Sequence, residues 1–255
     1  MVETFWLVAA TLLAGAGAFF GWRSLTNEEK RQPAFLWMAG AFCCQIGFLT
    51  VRGEMRGRCP LADLGEICLF LAWSMTLFYL VTGTTYRLSL LGVFSAPVIV
   101  LLQGVALLPG SLDRDVVRAT GTDPWMESHA ALSVLSYGAL ALAAVAGVMF
   151  FVLNRKLKAR KLKGELLQSM PSIHRLVTAM GRITLVGWVI LTAGIGAGFF
   201  LEGGTLSLHL MTATVTWVLY GVLLAVYFVR GMPGRQLAMS VLVLFLASLT
   251  VFAKL

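Results

Sequence analysis

Charge is scarce in this 255-residue chain, since Asp, Glu, Lys and Arg together make up 13% of it. A soluble domain carries about a quarter, so an ordinary water-facing surface is excluded. Acidic residues are the scarcer sign, 12 against 20 basic ones. Four cysteines without a CxxC pair give neither a disulfide framework nor a thiol-oxidoreductase motif. The chain has no HExxH pair, P-loop, nucleophile elbow or paired carboxylates, so ordinary hydrolase or kinase chemistry has no support. Among seven prolines only Pro97 interrupts a long apolar run. The broken helices and midplane polar pairs expected of a secondary transporter are therefore missing.

What fills the sequence is apolar residues, 58% of the total. Runs long enough to cross about 30 Å of hydrocarbon, roughly 20 residues each, lie at about 5–22, 33–51, 64–82, 89–108, 128–153, 182–201, 207–229 and 236–253. The expected fold is an all-α integral membrane protein, a single domain over 1–255 built as a bundle of about eight transmembrane helices. The first run is read as a true span, because Glu3 precedes it and Arg23, Lys30 and Arg31 follow, the reverse of a signal peptide. Gly17 with Gly21, and Gly194 with Gly198, stand four apart on single helix faces, where they let neighbouring backbones approach.

Basic residues near span ends stay on the cytoplasmic side. The connection after the fifth run holds Arg155, Lys156, Lys158, Arg160, Lys161, Lys163 and Arg175, with Arg182 at its end. Both termini are therefore expected on the outer side. The block RKLKARKLK at 155–163 fixes this topology and meets anionic lipid headgroups. With membrane lipid as its partner, the net charge of +8 needs no nucleic acid.

The topology places His129, at the start of the fifth run, and His209, at the start of the seventh, in one leaflet. Imidazole there serves either as a ligand for a metal such as haem iron or as an interfacial group bonded to a loop carbonyl. His174, in the basic connection, reads as solvated or headgroup-facing. Acids near the membrane are functional candidates by default. Asp63 suits the N-terminus of the third helix, whose dipole and free amides favour a carboxylate, and Glu66 is open between capping and another role. Glu202 reads as a rim residue. Cys43, Cys44 and Cys68 read as small buried packing residues, and Trp125 as an interfacial anchor.

The segment SHAALSVLSYGALALAAVAGVMFFV, with His129, Leu135, Ser136 and Tyr137, resembles the histidine-led span of cytochrome c assembly proteins of the CcsA and ResC type. RGRCPLADLGEICLFLAWSM resembles a second signature through Gly57, Pro60, Leu61, Glu66, Leu71 and Trp73. TVTWVLYG and RGMPGRQLAMSVLVLFLAS are similar to the last two spans of that family. The resemblance implies a haem-handling protein at the outer face of a bacterial cytoplasmic membrane, with His129 as axial ligand to the iron. Other cytochrome c assembly proteins or a membrane complex are the implied partners.

The sequence departs from the family where a tryptophan-rich motif ending Trp-Asp is expected before the seventh span. Leu206 and Ser207 stand there instead, and no histidine follows the last span. These departures resemble the short HemX-like branch. Two expectations result. In the first, haem is bound or relayed through His129, with His209 as second ligand. In the second, the chain is a non-enzymatic regulator or scaffold that uses the basic connection 154–175. Neither makes it a self-sufficient enzyme.

Overall fold

The computed structural model describes residues 2–26, 34–86, 90–112, 118–119, 121, 123–158, 172–200 and 208–249. These form eight α-helices, with no strand among the described residues: α1 (Val2–Thr26), α2 (Ala34–Arg56), α3 (Leu64–Tyr86), α4 (Leu91–Ala106), α5 (Pro124–Lys158), α6 (Ile173–Phe199), α7 (Leu208–Ala225) and α8 (Gly234–Ser248). The last turn of α7 widens into a π-helical segment, Val226–Arg230. Six helices are long and apolar enough to cross a membrane, while α4 and α8 are shorter apolar helices. The chain is an all-α, multi-pass membrane protein whose helices match the eight apolar runs in order.

Several boundaries differ from the sequence reading. Helix α2 runs to Arg56 rather than ending near residue 51, because Arg52 and Arg56 are neutralised by carboxylates and stay buried. Helix α5 starts at Pro124 and extends to Lys158. The side chain of Asp123 caps it by accepting from the Trp125 amide at 2.9 Å, and proline at the first helical position gives up an amide that has no partner there anyway. Helix α6 begins at Ile173, where the Ser172 hydroxyl accepts from the Arg175 amide.

The bundle is organised around α5, which packs on α3, α6 and α8, while α2 and α4 pack on α3 and α1 packs on α2 and α4. Its middle is buried on all sides by small residues, including Gly138, Ala139, Ala143, Ala144 and Gly147. Without a hydrophobic drive between lipid-solvated helices, close approach supplies the packing energy. A Cβ at Gly138 would overlap Ser74 of α3, and one at Gly147 would sit 3.1 Å from the Ala238 carbonyl of α8. From the other side, a Cβ at Gly187 of α6 would lie 2.9 Å from Leu140. Helices therefore close on α5 to backbone distance along three lines.

Candidate functional site at the His129 end

The helices alternate in direction, so the starts of α1, α3, α5 and α7 share one end with the finishes of α2, α4, α6 and α8. All six described carboxylates, Glu3, Glu54, Asp63, Glu66, Asp123 and Glu127, lie at this end. His129 sits in the second turn of α5 against α6, and its Nδ1 is 2.8 Å from the carbonyl oxygen of Gly194. A carbonyl only accepts, so Nδ1 carries a proton, and in the neutral ring the lone pair is then on Nε2. Among the described residues Nε2 has no hydrogen-bond partner.

Glycine makes that contact possible. A Cβ at Gly198 would stand 2.8 Å from His129 Nδ1, and one at Gly194 would stand 3.2 Å from the Ser133 amide. The Gly194/Gly198 face expected from sequence is thus the surface on which His129 and Ser133 lie. One turn outward, Trp125 stacks on Phe200 with ring centroids 4.7 Å apart. Trp125, Met126, Phe199 and Phe200 are exposed around the histidine, an apolar aromatic rim. Two polar atoms in this part of α5, Glu127 Oε1 and Ser133 Oγ, are buried without a partner among the described residues.

Helix α7 begins against the same stretch of α6. A Cβ added at Gly198, which faces His129, would stand 3.2 Å from the Leu210 side chain. Trp188 stacks on Trp217 at 5.3 Å, Trp188 donates to the Trp217 carbonyl, and Trp217 donates to Thr192 Oγ1. His209 belongs to the first turn of α7, but its side chain lies outside the described residues, as do Glu202, Leu206 and Ser207. Helix α6 stands between α5 and α7 along this end. The two reach each other deeper in the bundle, where the Tyr137 hydroxyl shares a hydrogen bond with Thr216.

Sequence reasoning missed a buried ionic cluster beside this site. Arg52, fully buried, donates to Glu66 at 2.7 Å, to Asp63 at 2.9 Å and to Glu3 at 3.0 Å. Arg56 donates to Glu66 and Asp63 as well. Glu66 Oε2 also accepts from the amides of Ala62 at 2.8 Å and Asp63 at 3.3 Å. Glu66 is the third residue of α3, so its bond to the Asp63 amide is half of a capping box. Both roles left open for Glu66 are therefore filled at once. The available signal was the spacing of Arg52 and Arg56, four apart on one helix face, just before two acids.

The turn between α2 and α3 ties this cluster to α5. Gly57 takes φ of +64°, and its exposed face is covered by Arg118, while the Ala119 amide donates to the Arg56 carbonyl at 2.9 Å. The Cys59 thiol is pushed up to about 11 by burial, with the nearby Glu127 and Glu66 carboxylates adding to the effect. It is a neutral thiol, not a nucleophile. Cys43 is exposed on α2 rather than buried as expected, and Cys44 and Cys68 are half-buried. His174 is exposed at the opposite, basic end. No group of three metal-ligating side chains occurs among the described residues.

Known proteins resemble this chain in sequence. The family description Cytochrome C assembly protein matches residues 61–253. The chain belongs to that family. The cytochrome c biogenesis protein CcsA of Chlamydomonas reinhardtii is 27% identical over 212 residues, covering 78% of this chain and 58% of that protein. CcsA of Nostoc punctiforme is 32% identical over 122 residues, 46% of this chain and 34% of its own length, and CcsA of Ranunculus macranthus is 32% identical over 121 residues, 46% and 38%. The cytochrome c assembly match thus leaves much of each relative's own length uncovered. It includes α3 through α8, and so both His129 and Glu66.

Proposed function

We propose that this cytochrome c assembly family member binds or relays haem for cytochrome c biogenesis at the His129 end of the bundle. The observation that carries the reading is the 2.8 Å contact between His129 Nδ1 and the Gly194 carbonyl. Histidines that ligate metals usually give their other ring N–H to a carbonyl or carboxylate, which fixes tautomer and ring orientation. His129 has that arrangement, within an apolar aromatic rim that suits a porphyrin face. His129 would be the axial ligand through Nε2, and His209 the second ligand. Bound haem would supply the tetrapyrrole to be delivered, while the chain's own task is to hold and orient it.

The basic end faces the cytoplasm and both termini lie outside, in a bacterial cytoplasmic membrane, by the positive-inside bias. Absorption spectra of the detergent-purified protein, oxidised and reduced, test the haem reading. A Soret band with low-spin reduced α and β bands is expected, lost in His129→Ala and unchanged in His174→Ala. High-spin spectra that ignore His209→Ala would leave His129 as sole protein ligand. Equal haem content in the His129 and His174 variants would overturn the assignment.

A second reading draws on the far end. Arg155, Lys156 and Lys158 are exposed on the last turn of α5, which suits a scaffold or HemX-like regulator that holds another assembly protein. Neutralising Lys156, Lys158, Lys161 and Lys163 should then release that partner in a pull-down.

A further inference from the structure

At the basic end, α5, α6, α7 and α8 leave a cleft of about 590 Å³. Its walls include Phe150 of α5, His174, Val177 and Thr178 of α6, Tyr227 of the π-helical segment, and Met232. The interior is apolar. Its depth has a local cause: the π turn carries Tyr227 over Gly181, where a Cβ would overlap the ring, and Gly234 lets the start of α8 approach Val177, which an added Cβ would meet at 2.6 Å. The outer wall stays open, with Phe228 54% exposed.

The mouth has the opposite character. Arg175, Arg230 and Arg235 directly follow or precede lining residues in the chain and are exposed. Their guanidinium groups have no ion pair or hydrogen bond among the described residues. Two helices also begin here, α6 at Ile173 and α8 at Gly234, and the first-turn amides and dipole of each favour an anion. The described parts of α5 after Glu127, of α6, α7 and α8 contain no Asp or Glu to answer this charge.

An apolar slot at membrane depth, rimmed by exposed arginines and two helix N-termini at the headgroup level, has the chemistry of one ligand class. We propose that the cleft binds an anionic phospholipid, with an acyl chain along Phe150, Val177 and Tyr227 and the phosphate at the mouth between Arg175, Arg230 and Arg235. This site is distinct from the generic attraction of the 155–163 block to headgroups, because it joins charge to a shaped apolar cavity. It stands independently of the haem reading, at the opposite end of the bundle from His129.

The test is native mass spectrometry of the full chain in detergent, titrated separately with dioleoylphosphatidylglycerol and dioleoylphosphatidylcholine. Phosphatidylglycerol should be retained more tightly. Each arginine changed to Gln should weaken it by about fivefold, as expected for one basic residue at a headgroup. Thr178→Trp fills the slot without changing charge and should abolish the preference. His174→Trp, at an exposed position on the same wall, repeats the blockage if the first variant does not fold. Arg155→Gln with Lys156→Gln and Lys158→Gln removes three charges from residues that do not line the cleft and should leave binding intact. An equal loss in that control, equal retention of both lipids, or tight binding in both tryptophan variants overturns the proposal. So does a Soret band that Thr178→Trp removes and His129→Ala does not.

Discussion

At Gly198 an added methyl would sit 2.8 Å from His129 Nδ1, whereas at Gly196, two residues earlier, it would meet nothing within 4 Å. The pair gives a matched test of ring orientation. Gly198→Ala must tilt the imidazole off the Gly194 carbonyl, and loss of such a supporting bond weakens metal binding by about 10- to 100-fold. Haem titration should show that loss in Gly198→Ala and none in Gly196→Ala, although both change glycine to alanine on one helix. Cys59 offers a second residue-scale test, through pH. Its thiol is pushed up to about 11 from an ordinary 9.0, so its thiolate fraction at pH 8 is about 100-fold below that of a free thiol. With Cys43, Cys44 and Cys68 changed to Ser, maleimide labelling of Cys59 should be slow at pH 8 and accelerate only above about pH 10. The folded state disfavours this thiolate, so its contribution to stability is fully present below the unfolded thiol's value and is lost as pH rises from there towards the folded one. Labelling at the rate of a free thiol would show that the α2–α3 turn does not bury Cys59 as described.

The boundary between α2 and α3 shows how far patterns alone could lead. Hydropathy ends a span at its first charges, which put the end of α2 near residue 51. In the structure Arg52 and Arg56 continue the helix because Glu3, Asp63 and Glu66 neutralise them. Neutralisation depends on partners from two other helices, and no local window contains that information. The capping signal at Glu66 was legible, whereas the guanidinium groups that share its carboxylate and that of Asp63 were not. Breaking a buried ion pair by removing one partner costs about 3–5 kcal/mol, since the other charge stays buried and uncompensated. Arg52→Met leaves Asp63 and Glu66 to share Arg56 and takes from Glu3 its guanidinium partner, so it should lower the apparent unfolding temperature in detergent markedly. Glu54→Gln removes an exposed acid of the same helix and should change it little. Arg52→Met combined with Glu66→Gln should recover part of the loss, because the buried negative charge in excess over Arg56 is reduced by one. If the double variant were no better than the single one, the cluster would not be held by mutual neutralisation.

For the molecule as a whole, composition and run length were enough to give eight helices in order, since backbone groups in hydrocarbon must bond within their own segment. The Gly194/Gly198 face was legible too, although which helix it met was not. What stayed hidden was anything assembled from several helices: the ionic cluster, the cleft at the basic end, and the carbonyl that sets the His129 tautomer. Orientation in the membrane belongs to this scale, and both functional proposals depend on it. Ser128 and Leu157 are exposed at opposite ends of α5, so one helix carries both reporters. In a chain with its four native cysteines changed to Ser, Ser128→Cys should react with a membrane-impermeant maleimide in bacterial spheroplasts, and Leu157→Cys should react only after the membrane is opened. The reverse pattern would put His129 in the cytoplasmic leaflet, where it would meet haem on the side of synthesis rather than delivery. It would also turn the arginine-rimmed cleft outward, so one experiment constrains both ends of the molecule.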